Sequence, residues 1–278
     1  MLDAAAIVLA GGRSSRMGSP KAALDWHGST LLRRVTGIVS RSVSGPVIVV
    51  SAPGQELPEL DRAVEVVADE REGGGPVQGL AAGLHAIGDR AEFAYVSSTD
   101  VPLLHPAFVR HVAGALVDDL DVVLPEVGGY RQPLSAAYRT ALLPVVEELI
   151  ASDRMRPAFL FERSRVLHLT EADLLADAVL ARLDPELASV SNLNEPADYE
   201  RAHTLPAPEI AVESGRHRQT LSAWSLGELA ALAGVALDDE QAAVALNGDP
   251  VTGDPELPLV AGDSVALSPG RARTRSAP

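Results

Sequence analysis

Short apolar runs alternate with amphipathic stretches through the first half of the chain. Ala4 to Leu9, Val47 to Val50 and Phe93 to Val96 are continuous apolar runs, and Val64 to Val67 is nearly one, the pattern of strands buried on both faces. Between them, Leu31, Leu32, Val35, Ile38 and Val39 recur at helical spacing behind Ser29 and Thr30, either of which can cap a helix running to about Val43. Gly73-Gly74-Gly75 leads into a second helix with Pro76 in its first turn, Ser97 to Pro102 reads as loop, and Pro106 to Val117 as helix. This β-α-β-α order predicts an α/β fold built on a Rossmann-like, doubly wound, mostly parallel sheet.

From Asp121 the pattern changes. Val122 to Val127 and Pro133 to Tyr138 flank Gly128-Gly129 and predict two strands joined by a turn, with an antiparallel edge to the sheet. Helical spacing returns at Ala141 to Ile150 and around Ala158 to Phe161, Arg165 to Leu169 predicts a late strand, and Ser191 to Pro196 a loop entering a short helix that ends near His203. Thr204-Leu205-Pro206-Ala207-Pro208 has linker composition. Beyond it, Glu209 to Glu213 and His217 to Leu221 form a hairpin pattern across Gly215, followed by a helix at Leu226 to Ala233 and strands at Ala242 to Leu246 and Ser264 to Leu267. The domains expected are therefore 1–203, a linker at 204–208, a small α+β unit of β-grasp type at 209–270, and a disordered tail from Arg271 to Pro278.

Composition narrows the function. With 278 residues and 46% apolar content the chain can bury a sizeable core, and no segment is long and apolar enough to span a membrane. Asp3 precedes a short apolar run where a signal peptide would carry basic residues, so a cytoplasmic location is expected. The absence of cysteine excludes disulfides, thiolate metal sites and cysteine nucleophiles. A formal net charge of −15 argues against a nucleic-acid partner, because such binding rests on neutralised phosphates. Against this acidity, Leu9 to Lys21 holds Gly11, Gly12, Gly18, Arg13, Arg16 and Lys21 and no carboxylate. Lys21 is the only lysine beside 22 arginines, a compact point charge where every other cation is a planar fork. A loop of this kind after a buried strand is an anion site, suited to a polyphosphate.

Two common phosphate loops do not fit. Five residues, rather than four, separate Gly12 from Gly18, Lys21 follows Pro20 instead of glycine, and the G-x-G-x-x-G spacing is missing. Leu9, Ala10, Gly11, Gly12, Arg16, Met17, Gly18 and Lys21 instead match L-A-G-G-x-x-x-R-M-G-x-x-K, and the stretch resembles the signature loop of molybdenum cofactor guanylyltransferases, whose fold is of the nucleotide-diphospho-sugar transferase type. Four later stretches resemble that family in order: Asp69, its nucleotide-contacting aspartate; Gly75-Pro76-Val77-Gln78-Gly79, its G-P-x-x-G turn; Ser98-Thr99-Asp100-Val101-Pro102, its D-x-P element; and Asn192-Leu193-Asn194-Glu195-Pro196, its late asparagine signature. Tyr130-Arg131-Gln132-Pro133-Leu134 resembles its acceptor-side segment.

The resemblance implies a Mg2+-dependent transfer of GMP from GTP to molybdopterin with release of pyrophosphate. It makes Arg16, Lys21 and Asp100 the catalytic residues, with Asp100 the magnesium ligand. Leu9, Ala10, Gly11, Gly12, Lys21, Asp69, Gly75, Pro76, Gly79 and Asp100 become nucleotide contacts, and Arg131, Gln132, Asn192 and Asn194 acceptor contacts. Taken alone, Asp69 and Asp100 could each simply cap a turn, and the asparagines are ordinary turn formers. His27, His85, His105 and His111 lack metal-ligand spacing, and Ser14 and Ser15 lack a nucleophile elbow. One departure concerns the base: where the family often has asparagine after the second strand, this chain has Ser51-Ala52-Pro53-Gly54-Gln55, which keeps a cytidylyltransferase on the same cofactor, or a sugar-1-phosphate nucleotidyltransferase, in view. The C-terminal unit resembles the β-grasp sulfur carriers of molybdopterin and thiamine synthesis but lacks their terminal Gly-Gly. It is expected to dock a protein of molybdopterin synthesis or molybdoenzyme maturation, and a non-catalytic scaffold acting through that unit is the alternative from another class.

Overall fold

The computed structural model describes residues 1–11, 20–69, 73–117, 119–215, 217–237 and 243–268. The chain divides into two compact units, Met1–Ala202 and His203–Pro278.

In the first unit, β1 (Ala5–Leu9) is followed by a two-residue antiparallel pair, β2 (Asp25–Trp26) and β3 (Ser29–Thr30), and by α1 (Leu31–Ser40). Thr30 caps α1 by accepting the Arg33 N–H at 3.2 Å, and the helix buries the apolar face its spacing predicts. Next come β4 (Val47–Ser51), β5 (Val64–Ala68), α2 (Gly75–Ile87), β6 (Phe93–Ser98) and α3 (Pro106–Gly114). The unit continues with β7 (Val122–Val127), β8 (Tyr130–Arg131), β9 (Ser135–Arg139), α4 (Leu143–Ala151) and α5 (Pro157–Phe161). It closes with β10 (Val166–Leu169), α6 (Glu171–Leu175), α7 (Ala178–Leu183) and α8 (Pro196–His203).

The large sheet has the order β10-β7-β9-β6-β1-β4-β5, with β8 paired to β7. β1 runs parallel to β4 and β6, β4 to β5, and β10 to β7, while β9 is antiparallel to both its neighbours. The antiparallel strand is thus inside the sheet, not at its edge as the sequence pattern suggested. The reason lies in its residues: Ala136 and Ala137 are fully buried, so β9 needs cover on both faces and a partner on both sides. The Gly128-Gly129 turn joins β7 to the short β8, and the chain continues in the same direction through Gln132, Pro133 and Leu134 into β9, so that both strands run antiparallel to β7.

Parallel strands β6, β1, β4 and β5 end along one edge of the sheet, where the loops that follow them meet. α2 reaches the same edge because it lies unusually close to β1. A Cβ added at Gly83 would sit 2.6 Å from Ile7 Cγ2, and one at Gly79 3.0 Å from Leu9 Cδ2. Gly75, at φ +78°, turns the chain into α2 with a backbone that other residues rarely adopt.

The second unit contains β11 (Glu209–Ser214), β12 (His217–Ser222), α9 (Leu226–Ala233), β13 (Ala243–Leu246), β14 (Asp249–Val251) and β15 (Ser264–Ser268). Its sheet has the order β12-β11-β15-β13-β14, with β11 and β15 parallel and the other pairs antiparallel. Ile210, Val212, Leu226, Leu229, Val265 and Leu267 form its own core. The tail assigned to disorder lies outside the described residues.

Candidate active site

A cleft of about 520 Å³ opens at the strand ends of the first unit. One side is built on β1 and β4. Ala10 and Gly11 both donate their N–H groups to the Val50 carbonyl, at 2.8 and 3.2 Å, which keeps the chain on β4 for two residues after β1 ends. Gly11 comes so near this strand that a Cβ there would lie 3.2 Å from the Ala52 nitrogen. Asp69 stands one residue beyond β5, its N–H donating to the Ser51 carbonyl at 2.8 Å. Gly75, Pro76 and Gly79 bring the start of α2 to the cleft; Gly74 supplies no side-chain cap, so the first turn presents main-chain N–H groups, the arrangement that receives phosphate.

The opposite end is ionic. Lys21 begins a single 3-10 turn, Lys21–Ala23, behind Pro20. Its ammonium donates to Asp100 Oδ2 at 2.8 Å and to Asn194 Oδ1 at 3.4 Å, joining residues 79 and 173 positions apart in sequence. Asp100 follows β6, and its second oxygen, Oδ1, accepts the Ser98 hydroxyl at 2.5 Å. The Leu193 N–H donates to the Asp100 carbonyl at 2.8 Å, which fastens the late asparagine loop to the D-x-P element. With side-chain exposures of 22% for Lys21 and 13% for Asp100, the pair is largely withdrawn from bulk water.

Most of the residues singled out in the sequence meet here: Leu9, Ala10, Gly11, Lys21, Asp69, Gly75, Pro76, Gly79 and Asp100 all line the cleft, and Asn194 contacts Lys21. Gly12 and Arg16 lie outside the described residues. Arg131 stands apart from the cleft lining, its Nε donating to Glu126 Oε1 at 3.2 Å on the β7–β8 hairpin. His168 also contacts Glu126, at 2.8 Å, and the hydrogen bonds from His168 and then Arg131 hold the Glu126 carboxyl below its ordinary range. Gln132 donates within the same turn, to the Val127 and Tyr130 carbonyls, and Asn192 donates to the Val190 carbonyl at 3.3 Å. Sequence reasoning passed over Ser98, though it stood inside the quoted D-x-P element, and Gln55, although it lay in the stretch marked as a departure. It also passed over Leu134, whose signal was its place at the end of the acceptor-side segment; it lines the cleft where Arg131 and Gln132 do not.

A hard divalent ion fits this donor set. Among the described residues no cluster of three or more histidines and carboxylates could cage a metal, and the cleft instead offers one oriented carboxylate, Asp100. Magnesium typically takes one or two carboxylates and completes its shell with phosphate and water.

A mixed, mostly parallel sheet with a cleft at its strand ends, lined by glycine-rich main chain, Lys21 and two aspartates, is the architecture of an α/β nucleotidyltransferase. The solved structure of molybdopterin-guanine dinucleotide biosynthesis protein A from Archaeoglobus fulgidus has the same fold, with a TM-score of 0.56 at 24% identity over 72% of this chain and 96% of that one. Residues 6–166 match the MobA-like NTP transferase domain, and the chain belongs to that family. Among its relatives, the molybdenum cofactor guanylyltransferase of Desulfosudis oleivorans is 32% identical over 211 residues, 76% of this chain and 96% of its own length. A probable molybdenum cofactor guanylyltransferase of Mycobacterium tuberculosis is 37% identical over 173 residues, 61% of this chain and 84% of its own.

Proposed function

We propose that this enzyme transfers GMP from GTP to molybdopterin and releases pyrophosphate. The observation that carries the reading is the Lys21–Asp100 pair, set across the cleft from the uncapped start of α2 and embedded in a chain whose relatives are named guanylyltransferases of the molybdenum cofactor. A terminal phosphate oxygen of the acceptor forms a bond to the α-phosphorus of GTP. The bond from that phosphorus to its bridging oxygen breaks, and its electron pair leaves with pyrophosphate. Such a transfer needs alignment and charge neutralisation more than covalent help from the protein.

Asp100 would hold magnesium, which when bound would supply positive charge to phosphate oxygens. Ser98 fixes the rotation of the Asp100 carboxylate. Lys21 neutralises charge on the leaving phosphates, with Arg16 assigned the same task by its place in the signature loop. Main-chain groups of Gly11 and the α2 turn align the nucleotide, and Asp69 contacts it at the far end. Asn194, beside Lys21, is the acceptor contact that the geometry favours. Arg131, Gln132 and Asn192 are proposed for the acceptor on their resemblance to the family alone. A cytoplasmic location belongs to the same reading. Residues 209–270 are proposed to be a β-grasp docking module for a protein of molybdopterin synthesis or molybdoenzyme maturation, supported by the central parallel β11–β15 pair and by the helix α9 beside it in sequence.

Removing one preorganised charge partner typically costs about 3 kcal/mol of transition-state stabilisation. Lys21→Ala and Asp100→Ala are each expected to lower the rate of pyrophosphate release about a hundredfold with unchanged thermal melting. Near-native rates in either variant would remove it from the catalytic set.

A further inference from the structure

Ala10, Gly11 and Ala52 line the cleft between β1 and β4, and one side chain ties their main chain together. After β4 the chain turns at Pro53-Gly54, with the Gln55 N–H donating to the Ala52 carbonyl at 3.1 Å. The Gln55 side chain then folds back. Its Oε1 accepts the Ala52 N–H at 2.9 Å, and its Nε2 donates to the Ala10 carbonyl at 3.0 Å. A main-chain N–H can only donate and a carbonyl only accept, so these two partners fix which end of the amide faces which strand. No other side chain type of the same length offers one donor and one acceptor in that order; glutamate can serve Ala52 but sets an oxygen against the Ala10 carbonyl, and leucine serves neither.

The consequence is geometric. Ala10 and Gly11 already lend their N–H groups to Val50, and Gln55 takes up the remaining carbonyl of Ala10. The peptide entering the signature loop is thereby clamped on both sides to the strand opposite. Ala10, Gly11 and Ala52 line the cleft, whereas Gln55 does not. The Lys21–Asp100 pair is held by other groups, Ser98 and Asn194.

We infer that Gln55 is a positioning residue for nucleotide selection: its amide sets the spacing and polarity of the Ala10–Ala52 wall against which the nucleoside lies. The inference rests on the nucleotidyl-transfer reading of the cleft. It also places the function of the expected asparagine on a residue two positions after Pro53, acting through main chain instead of touching the base.

The test compares unaltered protein with Gln55→Leu, Gln55→Glu and, as an exposed neighbour, Glu56→Gln. GTP binding is measured by calorimetry, kcat and KM by pyrophosphate release with GTP or CTP and molybdopterin, and folding by thermal melting. Gln55→Leu and Gln55→Glu are expected to weaken GTP binding and raise KM about tenfold, as loss of a part-buried polar pair does, with kcat and melting nearly unchanged and the preference for GTP over CTP reduced. Glu56→Gln should match unaltered protein. Unchanged KM and base preference in both Gln55 variants overturn the inference, as does a loss of kcat and melting temperature at constant KM, which would make Gln55 a fold-stabilising residue only. If the unaltered chain itself fails to bind GTP, the reading of the cleft falls and the inference with it.

Discussion

Lys21 is the counter-ion of the carboxylate that the proposed chemistry assigns to a metal. At 2.8 Å from Asp100 Oδ2 it occupies one side of that carboxylate, while Ser98 takes the other oxygen. A divalent ion arriving without nucleotide must compete with this ammonium; one arriving with a triphosphate brings phosphate oxygens to which Lys21 can transfer. Replacing Lys21 by methionine removes this ammonium from Asp100. The Lys21→Met variant is therefore expected to bind Mn2+ several-fold more tightly than unaltered protein in the absence of nucleotide, read from the loss of free-ion signal in electron paramagnetic resonance. Equal or weaker binding would show that Lys21 does not shield the carboxylate. The chemical types at this site were legible in the sequence, because a lone lysine among arginines and an aspartate after an apolar strand are visible without coordinates. The pairing was not legible, since nothing in the spacing of residues 21, 100 and 194 says that they meet.

At the scale of elements, the site depends on how closely α2 approaches β1. Gly79 and Gly83 lie on one face of the helix, four residues apart, against Leu9 and Ile7. Ile7 is fully buried and β-branched, so it has little room to yield to a methyl group. Overpacking costs about 1–3 kcal/mol, against which alanine gains about 1 kcal/mol over glycine in a helix. Gly83→Ala is expected to lower the melting temperature despite the better helix former, whereas Gly114→Ala in α3, with open space around the added carbon, should leave it unchanged or raise it. A stabilised Gly83→Ala would contradict the close packing. The strands and longer helices were readable from their apolar periods. The antiparallel β9 was misplaced to an edge because pairing between β6 and β9 depends on tertiary cover, not on the local alternation of its five residues. The short β2–β3 pair, β14 and the helices α6 and α7 carry too few residues for a period to register.

The whole molecule joins a family domain to a second unit with a separate core. A hydrophobic cluster of the first unit runs from Ala5 to Leu160, and one of the second unit from Ile210 to Leu267. Each unit thus buries its own apolar surface, the condition for a domain. Among the described residues no helix is long and apolar enough to cross a membrane. The family match ends at residue 166, so catalysis is to be sought in the first unit. The central claim is that this cleft moves GMP to molybdopterin, and pyrophosphate release measured with GTP, CTP, UTP and ATP, each with and without molybdopterin, tests it most directly. The account predicts release with GTP that requires the acceptor and far slower release with the other three; release that ignores molybdopterin, or that favours UTP or CTP, would contradict it.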